Sequence, residues 1–450
     1  MTRPRTGPGA NRAAAAALRR LTARAWPLAA AVAVVFVLLQ FTAAGQWSMY
    51  PDSYRYARSA EQFAGQSREQ AHRAALDAFC RTRADAARAT AELAPLDGAP
   101  LPTGTMSAAD CVARWADAPD ITTADPRYQA IFSSRPGYPL LAAPFVGAFG
   151  VADGMRTLGL LTAAGCSLLV VGLLRSAGLA PPAALCGQLV FLATPLARWS
   201  LQALSEGLVT LCVLGAVWAA VLLTGRRPWA GAPLLVAALG VCAVTRYSTA
   251  LVLAGLLAAA AVACWAGSRP LRHRGTALLA GLAALGAVAT GAAMSALALP
   301  SSATTLQDTF TRHFAAPDVA DPWGRLIDLD VRYWAHWTGE QATMPVYVVP
   351  TLIAGWALAR HGRGLGWFAA ATALVGVVQV AAHPLVQEAD RLGVLMWVPA
   401  VLGLPLLVER ARHRAGGADS AADDHPAHAL PALRVGGAAA VDQDAHLGKV

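Results

Sequence analysis

The sequence predicts an all-α polytopic membrane protein. Of its 450 residues, 56% are hydrophobic and only 14% are charged, whereas soluble domains carry about a quarter charged residues. Apolar runs recur along the chain at the length of roughly 17 to 25 residues that a helix needs to cross the hydrocarbon of a bilayer. The net charge of +9 comes from arginine-rich stretches between those runs. This pattern is typical of cytoplasmic loops and gives no reason to expect a nucleic-acid partner.

The amino-terminal segment 1–26 is basic, contains no acidic residue and precedes the first apolar run. We therefore expect a cytoplasmic amino terminus and a first transmembrane helix at residues 27–45. A signal peptide has the same order of parts, but its apolar region is usually shorter. Arginine far outnumbers lysine, and together with the abundant Ala and Gly this indicates a GC-rich bacterium. A bacterial plasma membrane is the expected location.

Residues 46–136 are too polar to span a membrane and form a predicted extracytoplasmic loop. The pattern around Arg68–Ala91 predicts an amphipathic helix within it. Cys80 and Cys111 are the two cysteines of this loop. A disulfide between them is one interpretation, because an extracytoplasmic loop is an oxidising setting, and two free thiols are the other.

Segment 137–150 is apolar but short and contains two prolines, so we predict that it is re-entrant or interfacial. If it does not cross, nearly every arginine cluster falls in a cytoplasmic loop, as the positive-inside rule requires. We therefore predict about ten transmembrane helices and two cytoplasmic termini. The remaining regions are a transmembrane bundle at 151–299, an extracytoplasmic loop at 300–343, carboxy-terminal transmembrane helices at 344–408 and a disordered cytoplasmic tail at 409–450.

This topology collects polar groups at the extracytoplasmic ends of the helices. Charged side chains next to hydrocarbon cost a few kcal/mol each, so they usually pair with one another or serve a function. Taken singly, each also fits a capping or snorkelling role, and Asp52 after Pro51 fits a helix N-cap. The collected residues are Asp52, Arg127, Tyr128, Arg135, Gln202, Ser205, Glu206, Arg246, Tyr247, His383, Glu388, Asp390 and Arg391.

Five short stretches lie one after another at these helix ends, between residues 26 and 408. They are Asp52-x-x-x-Tyr56 with Ala57 and Ala60, Arg135-Pro-Gly-Tyr-Pro-Leu-Leu-Ala-Ala-Pro-Phe145, Leu204-Ser-Glu-Gly-Leu208, Thr245-Arg246 and Asp390-Arg391-Leu392. In these stretches the chain resembles the C-type, multi-pass glycosyltransferases that use polyprenyl-phosphate sugars. It is broadly similar to the protein mannosyltransferases and aminoarabinose transferases of that group.

The resemblance implies transfer of a hexosyl or pentosyl group, with inversion, from a polyprenyl-phosphate-linked sugar to an extracytoplasmic glycan or protein acceptor. Asp52 would be the catalytic base, since an acceptor hydroxyl must lose its proton. Arg246 and Arg391 would bind the donor phosphate, a group that guanidinium clamps well. Glu206 would be a supporting acid or a metal ligand. The implied substrate-binding residues are Tyr56, Arg135, Tyr138, Gln202 and Tyr247.

The chain departs from that family in two places. Asp52 has no adjacent second acid, which some relatives carry, and the 300–343 loop matches no signature of the group. The tryptophans of that loop suit either sugar contact or anchoring at the membrane interface. One or two carboxylates do not define a metal site, so no cofactor is predicted and a divalent metal stays open.

Two other functions remain open at this point. The first is a transporter or flippase of a lipid-linked or anionic substrate. A transporter would need internal repeats and polar residues deep inside its spans, and the sequence offers neither clearly. The second is a family member that has lost its activity and keeps only a structural role.

Overall fold

The computed structural model describes residues 25–42, 47–92, 106–362 and 364–423. Every regular element in these ranges is helical, which confirms the all-α class. Contacts divide the chain into two units, Met1–Glu409 and Arg410–Val450. The described part of the second unit is helical throughout and belongs to the last helix.

Eighteen α-helices occur in the described ranges, with short 3-10 helices at Arg269–Leu271 and Gly393–Trp397. In chain order they are α1 (Ala25–Thr42), α2 (Pro51–Phe63), α3 (Arg68–Ala91), α4 (Ala108–Trp115), α5 (Pro126–Ser133), α6 (Gly137–Phe149), α7 (Val151–Ser176), α8 (Pro181–Ala193), α9 (Pro195–Ser200), α10 (Ser205–Thr224), α11 (Pro228–Gly267), α12 (Arg274–Ala296), α13 (Ser302–Phe310), α14 (Pro322–Thr343), α15 (Val348–His361), α16 (Leu365–Ala381), α17 (Val386–Leu392) and α18 (Val398–Asp423).

Six of the described segments are long and apolar enough to cross a membrane. They are α1, α7, α10, α11, α12 and the Val386–Arg414 stretch. α14 and α15 together pass the same test but are bent by 91°, and α6, α8 and α16 are shorter apolar helices. The chain is thus a helical membrane protein by length and composition, while the total of ten spans stays a prediction.

Helix α11 is forty residues long but folds back on itself at Arg246, which has the non-helical angles φ −156° and ψ 82°. A straight helix would place Leu239 and Ala254 about 22 Å apart at 1.5 Å per residue. Both instead lie beside Gly286 on α12, 3.0 and 3.9 Å from where its Cβ would be. The fold-back separates two apolar runs of the sequence, 229–245 and 247–266.

The positive-inside rule assigns to the cytoplasm the short loops that carry arginines near residues 175, 226 and 272. These loops meet at one end of the bundle. Trp218 Nε1 donates to Ser176 Oγ at 2.8 Å, and His273 Nε2 lies 3.1 Å from the Thr224 carbonyl oxygen. Glu409 Oε2 accepts from the Ala180 amide at 2.8 Å. We call this the arginine-rich end.

The loops predicted to be extracytoplasmic meet at the other end, which we call the site end. Tyr247 donates a 3.0 Å hydrogen bond to the Pro300 carbonyl. Thr309 Oγ1 lies 2.8 Å from His383 Nδ1. These contacts join the 245–247 turn, the 300–343 loop and the 383–391 segment.

The observed helices differ from the predicted ones in three places. The first helix is already formed at Ala25, before the predicted start at residue 27, and residues 43–46 lie outside the described ranges. Residues 178–197 form an apolar run of spanning length, but the helix is interrupted at Thr194, because a residue that precedes a proline disfavours the α conformation. The last helix continues to Asp423, so part of the tail predicted to be disordered is helical. Residues 424–450, like 1–24, lie outside the described ranges.

The first loop is a helical subdomain built from α2 to α5. Helix α3 confirms the predicted amphipathic helix and begins with a capping box, in which the Ser67 side chain and the Gln70 side chain each bond the other's backbone amide. Cys80 on α3 and Cys111 on α4 form a disulfide. The 300–343 loop is also helical, since it contains α13 and α14.

Segment 137–150 forms α6, a helix of thirteen residues, whose length of about 20 Å falls short of the roughly 30 Å hydrocarbon core. Gly150, with φ 79°, turns the chain directly into α7. Gly137 starts the helix against the fold-back of α11, where a Cβ would lie only 2.6 Å from Thr245 Oγ1. The start of α6 therefore lies at the site end.

Candidate functional site

Helix α2 brings Asp52 to the site end of the bundle. The N-cap of this helix is Tyr50 and Pro51 is its first residue, so the expectation that Asp52 caps the helix is wrong. Asp52 lies in the first turn, where the helix dipole favours a negative charge. Trp47 fixes the chain before the helix by donating to the Leu201 carbonyl at 3.4 Å.

Arg391 on α17 is the centre of the site because it contacts three carboxylates. Its Nη1 donates to Asp52 Oδ2 at 2.9 Å, and its Nη2 donates to Glu388 Oε2 at 2.9 Å. Its Nε lies 3.3 Å from Glu206 Oε1. The Arg391 side chain is 13% exposed and the Asp52 side chain 27% exposed, so both remain within reach of a ligand.

Glu206 and Arg246 form a second, more deeply buried pair. Arg246 Nη2 donates to Glu206 Oε1 at 3.0 Å, and the Glu206 side chain is only 3% exposed. Glu206 occupies the first turn of α10, and the fold-back of α11 turns Arg246 toward it. The same Glu206 oxygen is shared between Arg246 and Arg391. Glu206 thereby links the two arginines.

The charges around Asp52 favour its ionised form. Burial alone would raise its pKa, but Arg391, Arg55 and Arg135 outweigh burial and hold the pKa of the Asp52 carboxyl below its ordinary value. Asp52 is therefore a carboxylate at neutral pH. A proton acceptor must be in that state.

A network that the sequence did not reveal anchors α2 beside Asp52. Arg55 is 1% exposed, and its Nη2 donates to Asp120 Oδ1 at 2.8 Å, while its Nη1 donates to the Pro51 carbonyl at 3.0 Å. Its guanidinium lies 4.6 Å from the centre of the Tyr128 ring. Asp120 also lies 3.3 Å from Arg58. The sequence did contain one signal that Arg55 lies beside Asp52, because residues three apart in a helix share a face.

Aromatic residues from α2, α5 and α6 form a wall beside Glu206. The rings of Tyr56 and Tyr138 have centroids 5.2 Å apart, and Tyr56 also contacts Phe132 at 6.1 Å. The Tyr56 hydroxyl lies 3.4 Å from Ser205 Oγ. The Tyr138 hydroxyl is buried and has no hydrogen-bond partner among the described residues. A buried polar atom in that state favours a bound ligand or water as its partner.

The other residues predicted to bind substrate differ in their contacts with the site. Arg135 lies near enough to Asp52 to act on its charge, and its guanidinium is 6.0 Å from the Tyr247 ring centre. The Tyr247 hydroxyl donates to the Pro300 carbonyl, so Tyr247 connects two loops. The Gln202 carbonyl accepts from the Leu204 amide, and the Gln202 side chain has no hydrogen bond or ion pair with the described residues. Gln202 is thus not joined to the cluster.

His383 extends the cluster on the far side of Glu388. Its Nε2 lies 3.6 Å from Glu388 Oε2, and its Nδ1 is held by Thr309 at 2.8 Å. Burial lowers the pKa of His383 and outweighs the opposing effect of Glu388. His383 is therefore neutral at pH 7, and Glu388 remains free to pair with Arg391.

The acids at the site are held by arginines. Within the described ranges, no group of three or more His, Cys, Asp or Glu side chains is arranged to hold a metal ion. Asp52, Glu206 and Glu388 instead converge on the single guanidinium of Arg391.

No protein family, curated protein or solved structure matches this chain. The fold and the site together define a helical membrane protein that has a buried cluster of paired carboxylates and arginines at one end of its bundle.

Proposed function

We propose that the protein is a membrane glycosyltransferase that moves a sugar from a polyprenyl-phosphate donor to an extracytoplasmic acceptor. The observation that carries this proposal is the contact of Arg391 with both Asp52 and Glu206. Three remote segments of the chain meet there, and each supplies a group that this reaction needs.

The reaction assigns one step to each group. The acceptor hydroxyl oxygen attacks the anomeric carbon of the donor sugar, and its proton passes to an oxygen of Asp52. The bond between the anomeric carbon and the phosphate oxygen breaks, and its electron pair leaves with polyprenyl phosphate. Attack opposite the leaving group inverts the configuration. Arg391 stabilises the charge that develops on that phosphate, which is the role in which a fixed guanidinium contributes most.

Competition for Arg391 supports this division of roles. In the absence of a ligand, Asp52 uses one oxygen to accept from Arg391 Nη1 at 2.9 Å. A donor phosphate that binds Arg391 displaces Asp52 from that contact, so the carboxylate becomes available to the acceptor hydroxyl. Glu206 keeps Arg391 in position during the exchange because it contacts the guanidinium through Nε.

The distribution of arginine supports an extracytoplasmic site. The positive-inside rule counts charges in short loops and assigns the arginine-bearing ones to the cytoplasm. The short loops of the arginine-rich end contain Arg175, Arg226, Arg227, Arg269, Arg272, Arg274 and Arg360. Asp52 lies at the opposite end. The donor's prenyl chain would reach that end through the outer leaflet of the membrane.

A transporter or flippase remains the alternative, but no described contact favours it. The charged groups lie at one end of the bundle, whereas a transporter places its site near the bilayer midplane. Reconstituted protein separates the two, because a flippase moves labelled lipid across a vesicle without consuming it.

The test is an analysis of envelope glycans in a deletion strain that is complemented with wild type or with Asp52→Asn. The proposal expects wild type to restore a missing sugar and Asp52→Asn, at equal expression and membrane insertion, to leave it missing. Restoration by Asp52→Asn would remove Asp52 as the base.

A further inference from the structure

A polar cavity lies on the first-loop subdomain, between α2, α3 and the segment that follows α4. It has a volume of about 330 Å³, which falls at the small end of the range for ligand pockets, about 300 to 1,000 Å³. Because the disulfide joins α3 to α4, it holds two of the walls together. The cavity is lined by Arg58, Arg68, Glu69, His72, Asp117, Ala118 and Pro119.

One ring nitrogen of His72 is already hydrogen-bonded. The Tyr54 hydroxyl lies 2.7 Å from His72 Nδ1 and accepts a 3.3 Å hydrogen bond from Arg58 Nη1. These contacts occupy the Nδ1 edge of the ring.

The other ring nitrogen, Nε2, has no partner among the described residues. His72 is 9% exposed, and its Nε2 is buried without a hydrogen bond. A buried polar nitrogen without a partner costs about 1 to 3 kcal/mol, so the site favours a ligand hydroxyl, which can both donate and accept.

The charged groups of the wall balance one another. Arg58 and Arg68 contribute two positive charges, and Glu69 and Asp117 contribute two negative charges. Arg58 is already engaged with the Pro119 carbonyl and the Gln129 side chain. Glu69 is paired with Arg73 outside the cavity. Arg68 and Asp117 are exposed and make no ion pair with the described residues, so one donor and one acceptor remain beside His72.

We propose that this cavity binds a neutral saccharide unit through its hydroxyl groups. A sugar hydroxyl both accepts and donates, so neighbouring hydroxyls pair with Arg68, with His72 Nε2 and with the Asp117 carboxylate at once. The balanced charge gives no net attraction to an anion or a cation. Identifying this saccharide as part of the acceptor rests on the proposed function, whereas the binding itself does not.

The position of the cavity ties it to the reaction site. Arg58 and Arg55 share Asp120, at 3.3 and 2.8 Å, and Arg55 lies 3.8 Å from Asp52. A saccharide held against Arg58 therefore lies at one end of a chain of ion pairs that ends at the base.

The test measures binding of methyl glycosides of mannose, galactose, glucose and arabinose to the full-length protein in nanodiscs by saturation-transfer NMR. Glucuronate and glycine serve as the anionic and zwitterionic probes. We expect a neutral glycoside to bind most tightly and Arg68→Ala and Asp117→Ala each to weaken it about tenfold, through loss of a charged hydrogen bond. Both side chains are exposed, so these variants should fold even where a change at His72 disturbs Tyr54.

Arg88→Ala is the matched control, because Arg88 is exposed near the other end of α3 and its ion pair within the described residues is with Asp85. It should bind like wild type. Binding of none of the neutral glycosides, tighter binding of glucuronate or glycine, or unchanged binding by both cavity variants would overturn the proposal. Asp52→Asn separates the two proposals, since it should stop transfer and retain this binding. Transfer by Asp52→Asn would count against the proposed base alone.

Discussion

Arg391 Nη1 donates a 2.9 Å hydrogen bond to Asp52 Oδ2 across 339 positions of sequence. The same guanidinium contacts Glu206 and Glu388, so a single side chain gathers three acids at the site end of the bundle. Because the three acids fix its orientation, Arg391 is preorganised for a phosphate. Preorganised charge is the form in which electrostatic catalysis is most effective.

Replacement of Arg391 by lysine should lower the turnover of sugar transfer by about two to three orders of magnitude. Lysine keeps the charge but cannot contact three carboxylates in the planar fork that guanidinium provides. Initial-rate kinetics with a polyprenyl-phosphate sugar measure the effect. Arg127→Lys is the matched control, since Arg127 forms an exposed pair with Asp318. Equal turnover in the two variants would count against a role for Arg391 in the reaction.

Replacement of Glu206 by glutamine should destabilise the protein by about 3 to 5 kcal/mol, because it leaves Arg246 buried without its charge partner. Thermal unfolding in detergent measures the change. Glu69→Gln, which removes an exposed pair with Arg73, should cost no more than about 1 kcal/mol. A stable Glu206→Gln protein would indicate that Arg246 finds another partner.

The pH dependence of transfer should reflect the lowered pKa of Asp52. The Asp52 carboxyl has a lower pKa in the folded protein than in the unfolded chain. Its contribution to stability is therefore present above the ordinary Asp pKa of about 3.9, and it is lost as the pH falls through the pKa of the folded state. Asp52 should therefore stay ionised from pH 7 down to pH 5. In Arg391→Gln the acid limb of the rate profile should move to higher pH. An unmoved limb would show that Arg391 does not set the charge state of Asp52.

Loss of the Cys80–Cys111 disulfide should destabilise the first-loop subdomain. The closed loop spans 31 positions, for which chain entropy predicts about 3 to 4 kcal/mol. Hydrogen exchange in α3 and α4 of the Cys80→Ala/Cys111→Ala protein measures the effect locally. Cys186→Ala, which removes a thiol on α8, is the control. Unchanged protection in α3 and α4 would mean that helix packing alone holds the subdomain.

Local patterns in the sequence predicted the class of fold and the composition of the site end. Apolar runs of spanning length gave the helices, the amphipathic pattern gave α3, and the arginine distribution grouped Glu206, Arg246 and Arg391 with Asp52. Each of these signals is confined to a short window of residues.

The pairings could not be predicted, because they depend on packing between distant segments. Nothing near Asp120 in the sequence marks it as the partner of Arg55 and Arg58. The fold-back at Arg246 was visible as a polar break, but its contact with Glu206 required the positions of α10 and α11. Gln202 had the right location in sequence, and yet its side chain makes no hydrogen bond or ion pair with the described residues of the cluster.

Sugar transfer by Asp52→Asn in reconstituted membranes tests the central claim most directly. The reaction contains purified protein, a radiolabelled polyprenyl-phosphate sugar and envelope acceptor, and Asp77→Asn, an exposed acid paired with Arg81, is the control. We expect wild type and Asp77→Asn to transfer label at similar rates, and Asp52→Asn to retain donor binding while its transfer falls by at least about a hundredfold. Transfer by Asp52→Asn at the wild-type rate would contradict the assignment of Asp52 as the base.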